Sequence, residues 1–130
     1  MSAVLDTNVL IFDTFEDSQL YEEAHSKLDL LEKWFIPSIV FHEYVWFMKA
    51  EKIEIDFTKS KISEYLLNAK TVYCTIESSD ILFASQEITD HREYNDFLIL
   101  SVSRRLRQPL LTYDEPLRRT CERLGLKTTR

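Results

Sequence analysis

Four acidic residues of this 130-residue chain, Asp6, Glu43, Asp96 and Asp114, occupy positions where carboxylates can act together. Asp6 ends the apolar run Ala3-Val4-Leu5 and is followed by Thr7-Asn8, residues suited to turns and caps. Asp114 lies two residues beyond a second apolar run, Leu110-Leu111-Thr112. Glu43 has Ile39, Val40, Trp46 and Phe47 three and four residues away, so on a helix it interrupts an apolar stripe. An ionised carboxylate buried without a partner costs several kcal/mol or more, on the order of the stability of a small domain, so Glu43 requires a counter-charge. Asp96 repeats the pattern beside Ile99 and Leu100, with partial compensation from a helix N-terminus.

For any one of these acids, a helix cap or a structural ion pair is the commoner role. If all four converge, their repulsion raises some pKa values unless a cation lies between them. An all-oxygen donor set favours Mg²⁺ or Mn²⁺, as one or two ions, over zinc. Neither the cysteines, Cys74 and Cys121, nor the isolated His25, His42 and His91 complete a tetrahedral site. The thiols read as buried and inert, and His42 as a surface neighbour of Glu43. This chemistry requires four distant positions to form one oxygen-lined cup.

The elements that must position these acids follow from the apolar pattern. Strands are expected at Ala3-Val4-Leu5, Trp34-Phe35-Ile36, residues 71–76, Leu110-Leu111-Thr112 and Lys127-Thr128. Helices are expected after Asp6, over Glu16–Lys33, at 39–50 behind a Ser38 cap, at 57–69, from Ser78 or Ser79 to Thr89, from an Asn95 cap to Arg105, and at 115–124 up to Gly125. The helix after Asn95 is apolar nearly all round and should be central. Alternation of this kind predicts one α/β domain over residues 1–130, a three-layer sandwich whose mainly parallel sheet carries helices on both faces. Ligands then collect at the carboxyl ends of the strands, the rim to which all four acids belong.

The net charge of −6 argues against a nucleic-acid partner until its distribution is considered. Residues 1–100 carry 8 Lys and Arg against 19 Asp and Glu, whereas residues 101–130 carry 8 against 3. Arg104, Arg105, Arg107, Arg118 and Arg119 are therefore candidate phosphate-backbone contacts, weighed against an ordinary solvated helix face. No apolar run approaches a membrane span, and the first residues show neither a basic leader nor a long apolar stretch, so a cytoplasmic location is expected.

These segments resemble the PIN-domain nucleases, and among them the VapC-like toxins of toxin-antitoxin pairs. The resemblance is carried by Val4-Leu5-Asp6-Thr7-Asn8-Val9-Leu10, by Pro37-Ser38 followed by Glu43, by Asn95-Asp96 opening the apolar helix, and by Leu111-Thr112-Tyr113-Asp114. It implies strand order 3-2-1-4-5, a Mg²⁺ or Mn²⁺ site and endoribonuclease activity. By position it makes Asp6, Glu43 and Asp96 the core metal ligands, with Asp114 completing the pocket directly or through water, and Asn8, Ser38 and Thr112 supporting polar residues. It further implies an RNA substrate, a homodimer, and a small antitoxin whose basic side chain blocks the pocket. Arg107-Gln108 departs from the glycine that relatives often place before the fourth strand. The rival reading is an inactive, dimeric protein- or RNA-binding module that retains the acidic pocket. A phosphatase is disfavoured because Asn8 stands where its second aspartate would be.

Overall fold

The computed structural model describes residues 1–130. Its five strands, β1 (Ser2–Leu5), β2 (Lys33–Pro37), β3 (Thr71–Cys74), β4 (Leu110–Leu111) and β5 (Thr128–Thr129), form a sheet in the order β3-β2-β1-β4-β5. Every pairing is parallel. A parallel pair needs a crossover, and the seven helices supply it: α1 (Thr7–Thr14) and α2 (Tyr21–Leu30) between β1 and β2, α3 (Ser38–Ala50) and α4 (Ile55–Leu67) before β3, α5 (Ser78–Glu87) and α6 (Tyr94–Leu106) before β4, and α7 (Glu115–Arg123) before β5. Right-handed crossovers put the helices reached by one direction of travel on one face and the rest on the other. The middle strand shows the result, since Ala3, Val4 and Leu5 are all fully buried and side chains on both faces of β1 are covered.

The core is a single cluster running through β1, β2, β4 and the inner sides of α1, α3 and α6. Helix α6 is buried from Phe97 to Val102 around its whole circumference, as its sequence predicts. The strand order reverses between β1 and β4, whose carboxyl ends open the crevice where such sheets take ligands.

Several boundaries differ from the expectation. The helix expected over Glu16–Lys33 is confined to Tyr21–Leu30, because Lys33 already pairs with Ser2 as the start of β2. The β3 strand stops at Cys74, and α5 at Glu87. Helix α5 is capped by Glu77, not by Ser78 or Ser79: Glu77 and Asp80 form a reciprocal capping box. Asn95 lies inside α6, behind a short 3-10 turn at His91–Glu93 that is capped by Asp90. Arg107 ends α6 in the left-handed conformation, φ 54°, so the departure from glycine seen in the sequence leaves the backbone turn in place at some steric cost.

Candidate active site

Each of the four acids is delivered to one rim by a different element. Asp6 caps α1 at the end of β1, its Oδ1 accepting from the Thr7 amide at 2.8 Å. Asp114 caps α7 past the end of β4 and accepts from the Leu117 amide at 3.0 Å. Glu43 lies in the second turn of α3, and Asp96 in the first turn of α6. All four carboxylates line one cavity of about 280 Å³, together with Asn8, Thr7 and the apolar Ile11 and Phe47.

Neutral donors hold Asp6 and Glu43. Asp6, only 5% exposed, accepts on Oδ2 from the Thr112 hydroxyl at 2.6 Å. The same hydroxyl oxygen accepts from the Asp114 amide at 3.1 Å and the Asn8 side chain at 3.5 Å. Glu43 accepts from the Thr7 hydroxyl at 2.5 Å and from the Asn95 amide at 3.3 Å. No cation of the chain is paired with either acid. Burial pushes Asp6 up to about 6, against the hydrogen bonds from Thr112 and Thr7, with smaller repulsion from Glu43 and Asp114. Burial also pushes Asp96 up to about 7, reinforced by Asp6, Asp114, Glu43 and Glu93.

Perturbation of this kind marks a pocket short of positive charge, and its hard oxygen donors suit Mg²⁺ or Mn²⁺. The fit is one of donor chemistry and placement: no three His, Cys, Asp or Glu side chains stand close enough to form a ready-made cation cage. The acids share a cavity without closing into the cup that the sequence suggested.

The supporting residues divide. Asn8 and Thr112 serve the pocket, Asn8 also accepting from the Tyr113 amide at 3.3 Å. Ser38 does not line the acidic cavity and caps nothing in α3; its hydroxyl accepts from the Ile76 amide at 3.1 Å and fixes the loop after β3. Thr7 and Asn95 escaped the sequence reading as partners of Glu43. Thr7 was visible only as a cap residue, and Asn95 as a helix start, and nothing local pointed either one at residue 43.

The arginines also separate. Arg105 grips the fully buried Asp80 through Nε at 3.2 Å and Nη2 at 3.0 Å, with Glu77 at 3.4 Å, and is a structural cation. Arg104 lies over the Phe83 ring, and with Arg107 it walls a pocket at the entry ends of β4 and β5, the rim opposite the acids. Arg118 leans on Glu115 at 3.7 Å. Arg119 is exposed on α7. The apolar stripe around Glu43 is partial, since Trp46 is 63% exposed with Lys49 over its ring, whereas Val40 and Met48 are buried. His42 is exposed, and both cysteines are buried and free.

The PIN domain family matches residues 3–123 of the chain. No curated protein matches it. Among solved structures, Mycobacterium tuberculosis VapC20, described as a toxin that cleaves the sarcin-ricin loop, superposes with a TM-score of 0.80 at 11% identity over 98% of each chain. VapBC2 from Rickettsia felis, bound to a DNA fragment from its promoter, gives 0.67 at 19% identity over 92% of each chain. A toxin-antitoxin complex from Klebsiella pneumoniae gives 0.60 at 24% identity over 86% of each. At these identities the likeness establishes a shared fold.

Proposed function

Since the chain belongs to the PIN domain family, we propose that it is a Mg²⁺- or Mn²⁺-dependent endoribonuclease, the toxin of a toxin-antitoxin pair. The observation that carries this reading is the convergence of Asp6, Glu43, Asp96 and Asp114 on one cavity in which Asp6 and Asp96 are pushed to about 6 and 7. Asp6, Glu43 and Asp96 would hold one or two cations, and Asp114 would complete the set directly or through water. A divalent cation bound there supplies an activated water and neutralises charge on the phosphodiester. Thr112 favours the ionised form of Asp6, Thr7 and Asn95 orient the two oxygens of Glu43, and Ile11 and Phe47 supply an apolar part of the wall.

The toxin reading draws on the described roles of the VapC20 and Klebsiella structures, and it brings with it a small antitoxin that presents a basic side chain to the acids. A homodimer is supported by apolar side chains left in solvent on α3 and α4, with Trp46 63% and Leu67 78% exposed. No helix is long and apolar enough to cross a membrane. The rival is an inactive dimeric protein- or RNA-binding module that keeps the acidic pocket.

Purified protein with Mn²⁺ is expected to cut RNA endonucleolytically, and Asp6→Asn or Asp96→Asn to abolish cutting with the fold intact. Absence of cleavage by the parent protein would overturn the nuclease reading in favour of the rival, and cleavage by both variants equal to the parent's would remove these acids from the reaction.

A further inference from the structure

The acidic cavity continues past its carboxylates. Asp96 and Asp114 also wall a second hollow of about 160 Å³ that includes Pro116 and Thr120. Pro116 and Thr120 in turn wall a third, of about 210 Å³, completed by Arg119 and Arg123. Neighbouring hollows share lining residues, and the three follow one another from the acids along α7. Residues 116, 119, 120 and 123 fall on one side of that helix, while Leu117 and Cys121 bury the other. Arg119 and Arg123 are exposed and enter no ion pair, although Glu115 on the same helix holds both Arg118 and Arg130. One helical turn, about 6 Å along the axis, separates the two free cations.

We propose that a single-stranded segment of the substrate leaves the acidic cavity along this face of α7, with Arg119 and Arg123 gripping backbone phosphates beside the scissile one. The inference rests on the nuclease reading and adds the path of the strand. Guanidinium forks match phosphate oxygens, and such contacts fix register without reading sequence. The remaining basic residues of the last quarter do not serve the track: Arg105 is bound to Asp80, Arg118 and Arg130 to Glu115, and Arg104, Arg107 and Lys127 open on the opposite rim.

The test titrates NaCl against binding of a short labelled single-stranded RNA in EDTA, with cleavage of the same RNA in Mn²⁺ followed separately. Replacing both Arg119 and Arg123 by Gln should flatten the slope of log K against log salt by about 1.4, at about 0.7 per phosphate contact on a single strand. Arg104→Gln with Arg107→Gln should leave it unchanged, as should Arg119→Lys with Arg123→Lys, which keeps both charges. If the parent cuts and binds RNA while the Arg119 and Arg123 glutamine variant keeps the parental slope, or if the opposite-rim pair flattens it instead, the track is wrong and the nuclease reading stands. Binding of an acidic polyglutamate peptide that depends on these two arginines, with the RNA slope unmoved, would give the face to a protein partner. A parent that neither binds nor cuts RNA overturns both.

Discussion

The Thr112 hydroxyl donates to Asp6 Oδ2 at 2.6 Å and accepts from the Asp114 amide at 3.1 Å, so one side chain at the end of β4 couples the first of the four site acids to the last. The bond favours the ionised form of Asp6 and opposes the rise that burial causes. Thr112→Val removes it and should move Asp6 above its value of about 6. Mn²⁺ binding, followed by calorimetric titration between pH 5 and 8, should then lose its acid limb at higher pH than in the parent, and Thr112→Ser should restore the parental limb. An identical limb in Thr112→Val would show that this hydroxyl does not tune Asp6.

Asp6 and Asp96 set a pH dependence of the metal-free fold. Asp6 and Asp96 have folded-state pKa values of about 6 and 7, above the ordinary 3.8. Between about pH 4 and 7 the folded chain therefore binds more protons than the unfolded one, and stability falls as pH rises through that window. Carrying Asp6 ionised at pH 8 costs the fold about 3 kcal/mol. His25, raised by its bond to Asp13, contributes in the same direction from an exposed position. Asp6→Asn cannot ionise and leaves His25 and Asp96 in place, so its denaturation midpoint in EDTA should decline less from pH 5 to 8 than the parent's. Parallel declines would refute the assignment of the penalty to Asp6.

Asp80 and Arg105 make the opposite kind of pair, fully compensated and remote from the acids. Burial pushes Asp80 up, but Arg105, the Glu77 amide and Ser101 outweigh it and hold the carboxyl below its ordinary range. Arg105→Leu strands a buried charge and should cost roughly 3–5 kcal/mol in urea denaturation. Its effect on the salt dependence of RNA binding should be nil. A stable variant with a flattened salt slope would make Arg105 a substrate contact after all.

The local pattern of residues determined a large part of this molecule. Ala3-Val4-Leu5 reads as a buried strand, the apolar circumference of Phe97–Val102 as a central helix, and alternation of strands with helices argues for a mainly parallel sheet with crossovers. In such a sheet an acid directly after a strand lies at the carboxyl rim whatever the rest of the chain does, which is why Asp6 and Asp114 were legible. The length of the helix after Glu16 was not, because the turn before Tyr21 and the strand start at Lys33 depend on pairing with β1.

Tertiary structure alone decided which polar groups serve the pocket. Thr7 and Asn95 reach Glu43 across 36 and 52 residues of chain, Ser38 turns instead to the Ile76 amide, and Arg105 turns to Asp80. A hydroxyl, an amide or a guanidinium satisfies its hydrogen bonds with whatever the fold sets within about 3 Å, and sequence spacing carries no record of that neighbour. Apolar periodicity survives in the sequence because it repeats over many residues, whereas the direction of one polar side chain is settled by the meeting of two distant elements.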